Sequence, residues 1–355
     1  MKTIIASIAA STVAALFLTA GCATKPVQKK EHIFFPLPPD EPKIQFLTSF
    51  GSESDLAEGS KFTDFVVGTE KVTRPIWKPY GIAVTKGMVY VCDTQAANLG
   101  IVDLNRRRIH YIRPGGREAM QTPINVAVDA ADNRYVTDTK RGQVLIYNKD
   151  DQRIGEIGRE GEMKPCGIFV AGERLYVTDL LSHSVRIYSL SGRKLLLTVP
   201  RDSKDEKSKL HSPTNISVDK EGRMYVSDTG GFTTKVFDAE GNHLRTVGEL
   251  GLNAGSFALP KGIAVDREHR TYVVDGATAI VQMFDEQGRL LMYFGEPKSS
   301  GPAGLYLPAG IAVDYENLPL FQKHVAPGFK LEHLIFVTNQ AGSQKVSVYG
   351  FVRKG

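Results

Sequence analysis

Five aspartates and one asparagine close short β-rich runs of related sequence. The runs are YVCD, YVTD (twice), YVSD, YVVD and FVTN, and they end at Asp93, Asp138, Asp179, Asp228, Asp275 and Asn339. Carboxylate and amide oxygens are the ligands that Ca²⁺ takes, at about six to eight per ion. An aspartate after a strand also caps a turn by accepting backbone hydrogen bonds. Because the acid recurs in nearly every copy, whereas a site used once should break the repeat, we favour the structural role and predict no metal and no cofactor.

These runs belong to a longer repeat. Each follows a Pro-x-Gly/Asn-Ile/Val-x-Val run, whose prolines are 42 to 48 residues apart: Pro79, Pro123, Pro165, Pro213, Pro260 and Pro308. A period in the forties is the signature of a repeat architecture. Two further alternating runs follow each acid, such as VRIYSLSGR and KLLLTV, and their composition is typical of antiparallel strands. Four strands in each of six copies predict an all-β fold, a six-bladed β-propeller with four-stranded antiparallel blades.

The ends of the chain complete one blade. The sixth copy stops at KVSVYGFVRKG, which is a third strand, while KIQFLTSFG at residues 43–51 is similar to a fourth strand. We therefore expect an N-terminal strand to close the last blade of a propeller spanning residues 43–355. Insertions interrupt the repeat at about residues 52–78 and 315–335. The second joins a first strand to a second strand, so it should emerge opposite the aspartates. Its aromatic residues either anchor a partner or pack on the propeller.

The combined pattern resembles a known family. Pro-x-Gly-Ile-Ala-Val-Asp, then Tyr-Val-x-Asp, then Val-x-x-Phe/Tyr-Asp-x-x-Gly is similar to the NHL-repeat six-bladed propellers over about residues 43–355. The resemblance implies the fold, and this scaffold hosts unrelated activities. The related peptide α-amidating lyases hold zinc through histidines directly after the blade-initial proline, and those six positions carry no histidine here. Gluconolactonase-type propellers use a calcium cluster of Glu and Asn/Asp, and we find no convincing glutamate at a channel position.

Strand direction predicts which residues share one end of the channel. The residue after each proline and the acid that ends each second strand should meet there, on what we call the aspartate face. The candidate ligand face comprises Tyr80, Asp93, Asn125, Asp138, Lys140, Arg141, Cys166, Asp179, His183, Thr214, Asn215, Asp228, Lys261, Asp275 and Asn339. Only His183 among the histidines is well placed on this face, whereas catalytic zinc needs three protein ligands. The sequence contains no G-x-S-x-G, Walker A or H-E-x-x-H motif. We therefore assign no catalytic residue.

The N-terminus predicts export and a lipid anchor. Met-Lys precedes an apolar run from Ile4 to Leu18, which is shorter than the about 20 residues that span a bilayer. Residues 1–21 read as a signal peptide, and TAGC resembles a bacterial lipobox with Cys22 as the acylated residue. Residues 22–42 form a Pro-rich tether, within which IFFP (33–36) either stands free or packs back onto the propeller. Ala23 after the cysteine favours the outer membrane of a Gram-negative bacterium.

Cysteine and charge patterns narrow the partners. Cys92 and Cys166 fall in blades that are not neighbours, so we expect two free thiols. The formal charge is +5, and acids alternate with bases except in NRRRIHYIRPGGR at residues 105–117, which we interpret as a solvated hairpin. This modest basic footprint on an exported chain predicts no nucleic-acid partner.

These observations favour a cell-envelope lipoprotein attached to the membrane through its lipid. Its propeller would be a non-catalytic binding or scaffold module for an envelope protein partner. Two alternatives stay open. One is a metal-dependent propeller enzyme, lactonase-like or lyase-like, and the other is a receptor for a glycan or small ligand at the channel mouth. The sequence leaves the oligomeric state open.

Overall fold

Alternating Val, Ile and Tyr runs form short antiparallel strands, and turns rich in Gly and Asp connect them. A computed structural model describes residues 32–37, 39–56, 73–201, 205–295 and 301–355. Residues His32–Gly355 form one unit of six antiparallel sheets. The innermost strands of successive sheets contact one another in a closed ring from β3 (Pro79–Thr85) round to β23 (Pro308–Asp314). The predicted six-bladed propeller is therefore confirmed.

Blades one to three follow each other along the chain. Blade one contains β3, β4 (Met88–Asp93), β5 (Asn98–Asp103) and β6 (Arg108–Ile112). Blade two contains β7 (Pro123–Val128), β8 (Arg134–Asp138), β9 (Gln143–Tyr147) and β10 (Arg153–Ile157). Blade three contains β11 (Pro165–Ala171), β12 (Arg174–Asp179), β13 (Ser184–Ser189) and β14 (Leu195–Val199). In each blade the first strand is innermost and the fourth strand lies at the outer edge.

Blades four and five repeat the arrangement. Blade four contains β15 (Pro213–Val218), β16 (Met224–Asp228), β17 (Thr233–Phe237) and β18 (His243–Val247). Blade five contains β19 (Pro260–Val265), β20 (Thr271–Asp275), β21 (Ile280–Phe284) and β22 (Leu290–Phe294). Five short helical turns complete the described elements: α1 (Glu53–Leu56), α2 (Leu318–Phe321), η1 (Gly116–Glu118), η2 (Thr229–Gly231) and η3 (Gln322–His324).

Both ends of the chain build blade six, as expected. Its strand order is β1 (Phe34–Phe35), β2 (Ile44–Phe50), β25 (Val346–Lys354), β24 (Phe329–Asn339) and β23. The short strand β1 corrects the predicted boundary, because the propeller begins before residue 43 and the IFFP segment belongs to it. Phe34 packs against Phe329 with ring centroids 4.9 Å apart, and Phe35 is buried. Cys22 and most of the predicted tether lie outside the described residues.

The two predicted insertions have different outcomes. Residues 57–72 of the first lie outside the described residues, and the rest includes α1. The second carries α2 and contacts the β3–β4 turn, where Asn317 Oδ1 accepts a 2.6 Å hydrogen bond from the Gly87 N–H. That turn is at the end of the channel opposite the aspartates, which we call the turn face, so the predicted side is confirmed. Tyr315, Phe321 and Phe329 pack on neighbouring aromatic or cationic side chains, which supports the packing alternative.

Repeated polar bonds tie the first two strands of a blade together on the turn face. The tyrosines of the Tyr-Val-x-Asp runs point into the seams between blades, and several donate to an aspartate at the end of the first strand. Tyr225 donates to Asp219, and Tyr272 donates to Asp266, both at 3.0 Å. Buried tyrosine hydroxyls need such acceptors. The aspartate of the Ile-Ala-Val-Asp run therefore has a structural role too.

The inner strands of blades six and one approach each other closely at Gly310. A Cβ added to Gly310 would lie 2.3 Å from the Tyr80 carbonyl oxygen of the neighbouring blade. Real Cβ atoms do not approach backbone so closely, so blade six requires glycine here, whereas blades two and four carry Asn125 and Asn215 at the same position of the repeat.

Candidate functional site

The aspartate that ends each second strand accepts backbone hydrogen bonds, and Asp179 also pairs with Arg186 at 2.8 Å. Asp275 is 0% exposed, and its carboxylate accepts from the N–H groups of Ala258 (2.7 Å) and Leu259 (3.2 Å). It also accepts from Ala277 (2.9 Å) and Thr278 (3.2 Å) in its own turn. The aspartate therefore holds the loop that enters the first strand and the turn that leaves the second. We call this arrangement the aspartate clamp.

The clamp recurs around the ring. In blades one to five the acid accepts the N–H of the residue directly before the blade-initial proline: Lys78, Thr122, Lys164, Ser212 and Leu259. Blade six uses Asn339, whose Oδ1 accepts from Tyr306 at 3.0 Å while its Nδ2 donates to the Gln344 carbonyl and the Ser347 hydroxyl. The structural role that the sequence favoured is confirmed by these bonds. The bond back to the residue before the proline was not predicted.

Five of the predicted face residues come together at the channel mouth. Asn125 Nδ2 donates a 2.7 Å hydrogen bond to Asn215 Oδ1, which joins blades two and four across the axis. Lys261 of blade five places its Nζ 5.5 Å from the centroid of the Tyr80 ring. Cys166 lies close enough to Tyr80 to raise the pKa of its phenol, and Lys261 lies close enough to Cys166 to lower the pKa of its thiol. These side chains form a plug, which we call the mouth plug.

Burial dominates the electrostatics of the mouth plug. It raises the pKa of the Cys166 thiol to about 12, although Lys164 and Lys261 act in the opposite direction. Burial also raises the pKa of the Tyr80 phenol, with a further contribution from Cys166. The pKa of Lys261 is lowered by burial and by the ammonium of Lys78, while Asp275 opposes the shift. The thiol and the phenol are thus held neutral at ordinary pH, so neither is an activated nucleophile.

Other predicted residues hold loops or face solvent. Arg141 donates to the carbonyls of Arg117 and Ala119, both at 3.0 Å. The His183 imidazole bonds the His211 carbonyl, Thr214 bonds the Thr229 hydroxyl at 2.6 Å, and Lys140 is exposed. Cys92 and Cys166 are free and buried, which confirms the two predicted thiols.

Below the mouth plug lies a channel cavity of about 260 Å³. The inner strands of all six blades line it with aliphatic side chains, and none of its lining residues is charged. Asn125 and Asn215 are the predicted face residues that reach it. The lining valines towards the turn face, such as Val84 and Val313, are half-buried, so the channel is hydrated at that end. The aspartate face is thus separated from the cavity by the mouth plug.

One polar cluster was missed by the sequence analysis. Asp219, Glu221 and His269 on the turn face place their ligating atoms within 4.8 Å of one another. Arg223 already fills this cluster, because its Nε lies 2.6 Å from Asp219 and its Nη2 lies 2.8 Å from His269 Nδ1. A guanidinium at the centre opposes a second cation there. The spacing Asp-x-x-x-Arg-x-Tyr, which the 266–272 segment shares, was a usable signal for this structural pair.

Among the described residues, no helix is long and apolar enough to cross a membrane.

Comparison with known proteins supports the fold. No protein-family model matches the sequence, and no curated protein matches it, so the NHL resemblance stays a prediction. A Bacteroides thetaiotaomicron protein of unknown function is similar at TM-score 0.61 and 16% identity, covering 88% of this chain and 76% of its own. A gluconolactonase from Xanthomonas campestris gives 0.56 and 15%, covering 86% and 89%. Virginiamycin B lyase from Staphylococcus aureus gives 0.52 and 13%, covering 78% and 95%. At these identities the likeness concerns the fold alone.

Proposed function

We propose that this protein is an envelope-anchored lipoprotein whose propeller binds a protein partner without catalysing a reaction. The acids of the aspartate face, the strongest candidates for a metal or acid–base role, support this proposal. Their carboxylates accept hydrogen bonds from backbone N–H groups, as Asp275 does from four of them. The thiol and phenol of the mouth plug are kept neutral by burial. The face is therefore rigid and has little reactive chemistry.

The observation that carries the binding role is the distribution of exposed apolar side chains. The structure describes twelve large exposed hydrophobic residues, and five of them lie in loops of the aspartate face: Trp77, Leu181, Leu250, Leu252 and Leu307, each 53–76% exposed. Rigid loops that present aromatic and aliphatic side chains to solvent are typical of protein-binding faces. Six others lie on the fourth strands of blades two to five: Ile154, Leu195, Leu196, Leu244, Leu291 and Tyr293. We place the partner on the aspartate face because its loops carry the only exposed tryptophan of the described residues.

The anchoring part of the proposal rests on the sequence. The LTAGC segment ends at Cys22, ten residues before the first described residue. The chain enters the propeller at β1 on the outer edge of blade six, and β1 pairs with the start of β2 at the turn face. Acylation at Cys22 would attach the lipid to the chain N-terminal to the propeller.

The test is photo-crosslinking in cells that carry the full-length protein. A photoreactive phenylalanine analogue replaces Leu181 on the aspartate face or Leu195 on the outer edge of blade three. We expect one discrete protein adduct from position 181. Absence of an adduct from both positions would contradict a binding role.

Two further measurements address the anchor and the enzyme alternative. Labelling with an alkyne fatty acid should mark the wild type and not Cys22→Ser. Elemental analysis of the detergent-solubilised protein, purified without chelator, should find no stoichiometric zinc or calcium. One metal per chain, lost in Asp138→Ala, would favour a metal-dependent enzyme instead.

A further inference from the structure

Three lysines of alternating blades lie at the channel mouth, and one of them, Lys261, belongs to the mouth plug. Lys78 and Lys164 directly precede the first prolines of blades one and three, and Lys261 directly follows that of blade five. Their backbones are fixed by the aspartate clamps, since Asp93 accepts the Lys78 N–H at 3.1 Å and Asp179 accepts the Lys164 N–H at 2.7 Å. The Lys261 ammonium is held 5.5 Å from the centroid of the Tyr80 ring. All three side chains thus start from rigid positions around one opening.

None of these ammonium groups pairs with a carboxylate among the described residues. Lysines elsewhere on the surface do so, as in the 2.8 Å pairs of Lys43 with Glu41 and Lys149 with Asp150. The acids nearest to the mouth are turned towards backbone N–H groups by the clamps. Burial lowers the pKa of Lys261, and the Lys78 ammonium lowers it further. The mouth therefore presents clustered cations that lack ion-pair partners.

Each lysine has an exposed apolar neighbour. Trp77, 54% exposed, precedes Lys78 in the chain. Leu181 is 53% exposed and follows Leu180, whose N–H donates a 3.0 Å hydrogen bond to the Lys164 carbonyl. Leu307 is also 53% exposed and precedes Pro308. The Pro308 carbonyl and the methylene groups of Lys261 both lie next to Gly276. Each of the three lysines is thus accompanied by an exposed apolar side chain on the same face.

From this juxtaposition we infer that the aspartate face recognises an acidic segment of the partner protein, flanked by apolar residues. The three lysines bind its carboxylates, and Trp77, Leu181 and Leu307 pack against the apolar flanks. Opposed charges set orientation and association rate, whereas the apolar anchors supply most of the affinity. The inference rests on the proposed binding function and names the chemistry of the partner.

The experiment measures fluorescence anisotropy of the labelled peptide Leu-Glu-Asp-Gly-Glu-Leu with the full-length lipoprotein in detergent. Its uncharged twin is Leu-Gln-Asn-Gly-Gln-Leu. We expect the acidic peptide to bind about tenfold more tightly than the twin at low salt, and this advantage to shrink at about 0.3 M NaCl.

Two triple variants locate the site. Lys78→Gln, Lys164→Gln and Lys261→Gln together should weaken the acidic peptide about tenfold, as three partly exposed ion pairs are lost. The matched control replaces Lys86, Lys194 and Lys330 of the turn face by Gln, which removes the same charge, and should leave binding unchanged. Equal affinity for the two peptides, or equal weakening by both triple variants, would overturn the inference.

The cellular crosslinks separate this inference from the proposed function. An adduct from position 195 with none from position 181 leaves the binding function standing and refutes recognition at the mouth. An adduct from position 181 that survives the mouth triple variant would also refute the role of the lysines. Loss of that adduct in the mouth variant, but not in the turn-face control, supports it.

Discussion

Replacement of Asp275 by alanine tests whether the aspartate ring is architecture or a ligand site. The carboxylate is fully buried and accepts from four backbone N–H groups at 2.7–3.2 Å. A buried donor that loses its acceptor costs about 1–3 kcal/mol. All four donors belong to residues that are half-buried or exposed, so water replaces part of the loss. We therefore expect Asp275→Ala to lower the free energy of unfolding by about 3–5 kcal/mol, near the low end of the range for four donors.

Urea unfolding followed by far-UV circular dichroism measures this change. The matched control is Asp150→Ala, because Asp150 is exposed and its carboxylate contacts only the Lys149 ammonium. That control should change the free energy of unfolding by no more than about 0.5 kcal/mol. Asp275→Asn should fall between the two. Asn339 occupies a clamp with two acceptors for its Nδ2, whereas a Nδ2 at position 275 would face N–H donors. A loss below about 1 kcal/mol for Asp275→Ala would refute the clamp as a stabilising device.

Three further predictions concern packing, pH and the thiols. Gly310→Ala places a Cβ 2.3 Å from a backbone oxygen and should lower the melting temperature by several degrees, whereas Gly115→Ala, with no atom within 4 Å of the new Cβ, should not. Burial lowers the pKa of His333 from 6.5 to about 3, so between these pH values the unfolded state binds the proton and the folded state does not. The free energy of unfolding should therefore decrease as the pH is lowered through this window, by up to about 1.4 kcal/mol per pH unit. His333→Phe should make the melting temperature depend less on pH between these values. Cys92 and Cys166 should resist Ellman's reagent in the folded protein and react in urea, because burial raises the pKa of both thiols; rapid reaction of the native protein would contradict this.

The repeat predicts the blades because its signals are local. A proline fixes the start of each inner strand, and alternating Val, Ile and Tyr define the next three strands. The direction of those strands also places Tyr80, Asn125, Cys166, Asn215 and Lys261 at one end of the channel, where the structure has them. The pattern does not predict which side chains contact each other across the channel mouth. Only coordinates reveal that Asn125 bridges to Asn215 across the axis, because this depends on rotamers and on the radius of the ring.

Contacts between residues that are far apart in the sequence were the second feature that could not be predicted. Asp275 bonds residues 16 and 17 positions earlier, across the first two strands of its blade. The acids of blades one to five all bond a residue 15 or 16 positions earlier, but this regular spacing does not by itself show that the two positions are in contact. The two residues of β1 are too few to read as a strand, and pairing with β2 decides their conformation. The Arg223 cluster, by contrast, could be found. Asp219 and Asp266 each stand four residues before an arginine and six before a tyrosine, and each bonds both.

The residues that end the second strands are nearly constant around the ring, whereas the residues that follow the blade-initial prolines vary. This difference separates residues that maintain the fold from those available for the proposed recognition. The clamp aspartates accept hydrogen bonds from backbone N–H groups, which do not depend on the side chain of the donor residue. The same acid can therefore serve every blade. The position after each proline is free to vary because its side chain leaves the sheet and points across the mouth. It carries Tyr80, Ile124, Cys166, Thr214, Lys261 and Ala309. Lys261 of blade five and Tyr80 of blade one contact each other at the mouth, with the ammonium 5.5 Å from the ring centroid. Six clamps therefore hold a mouth whose chemistry differs in each blade, as the proposed binding of one asymmetric partner requires.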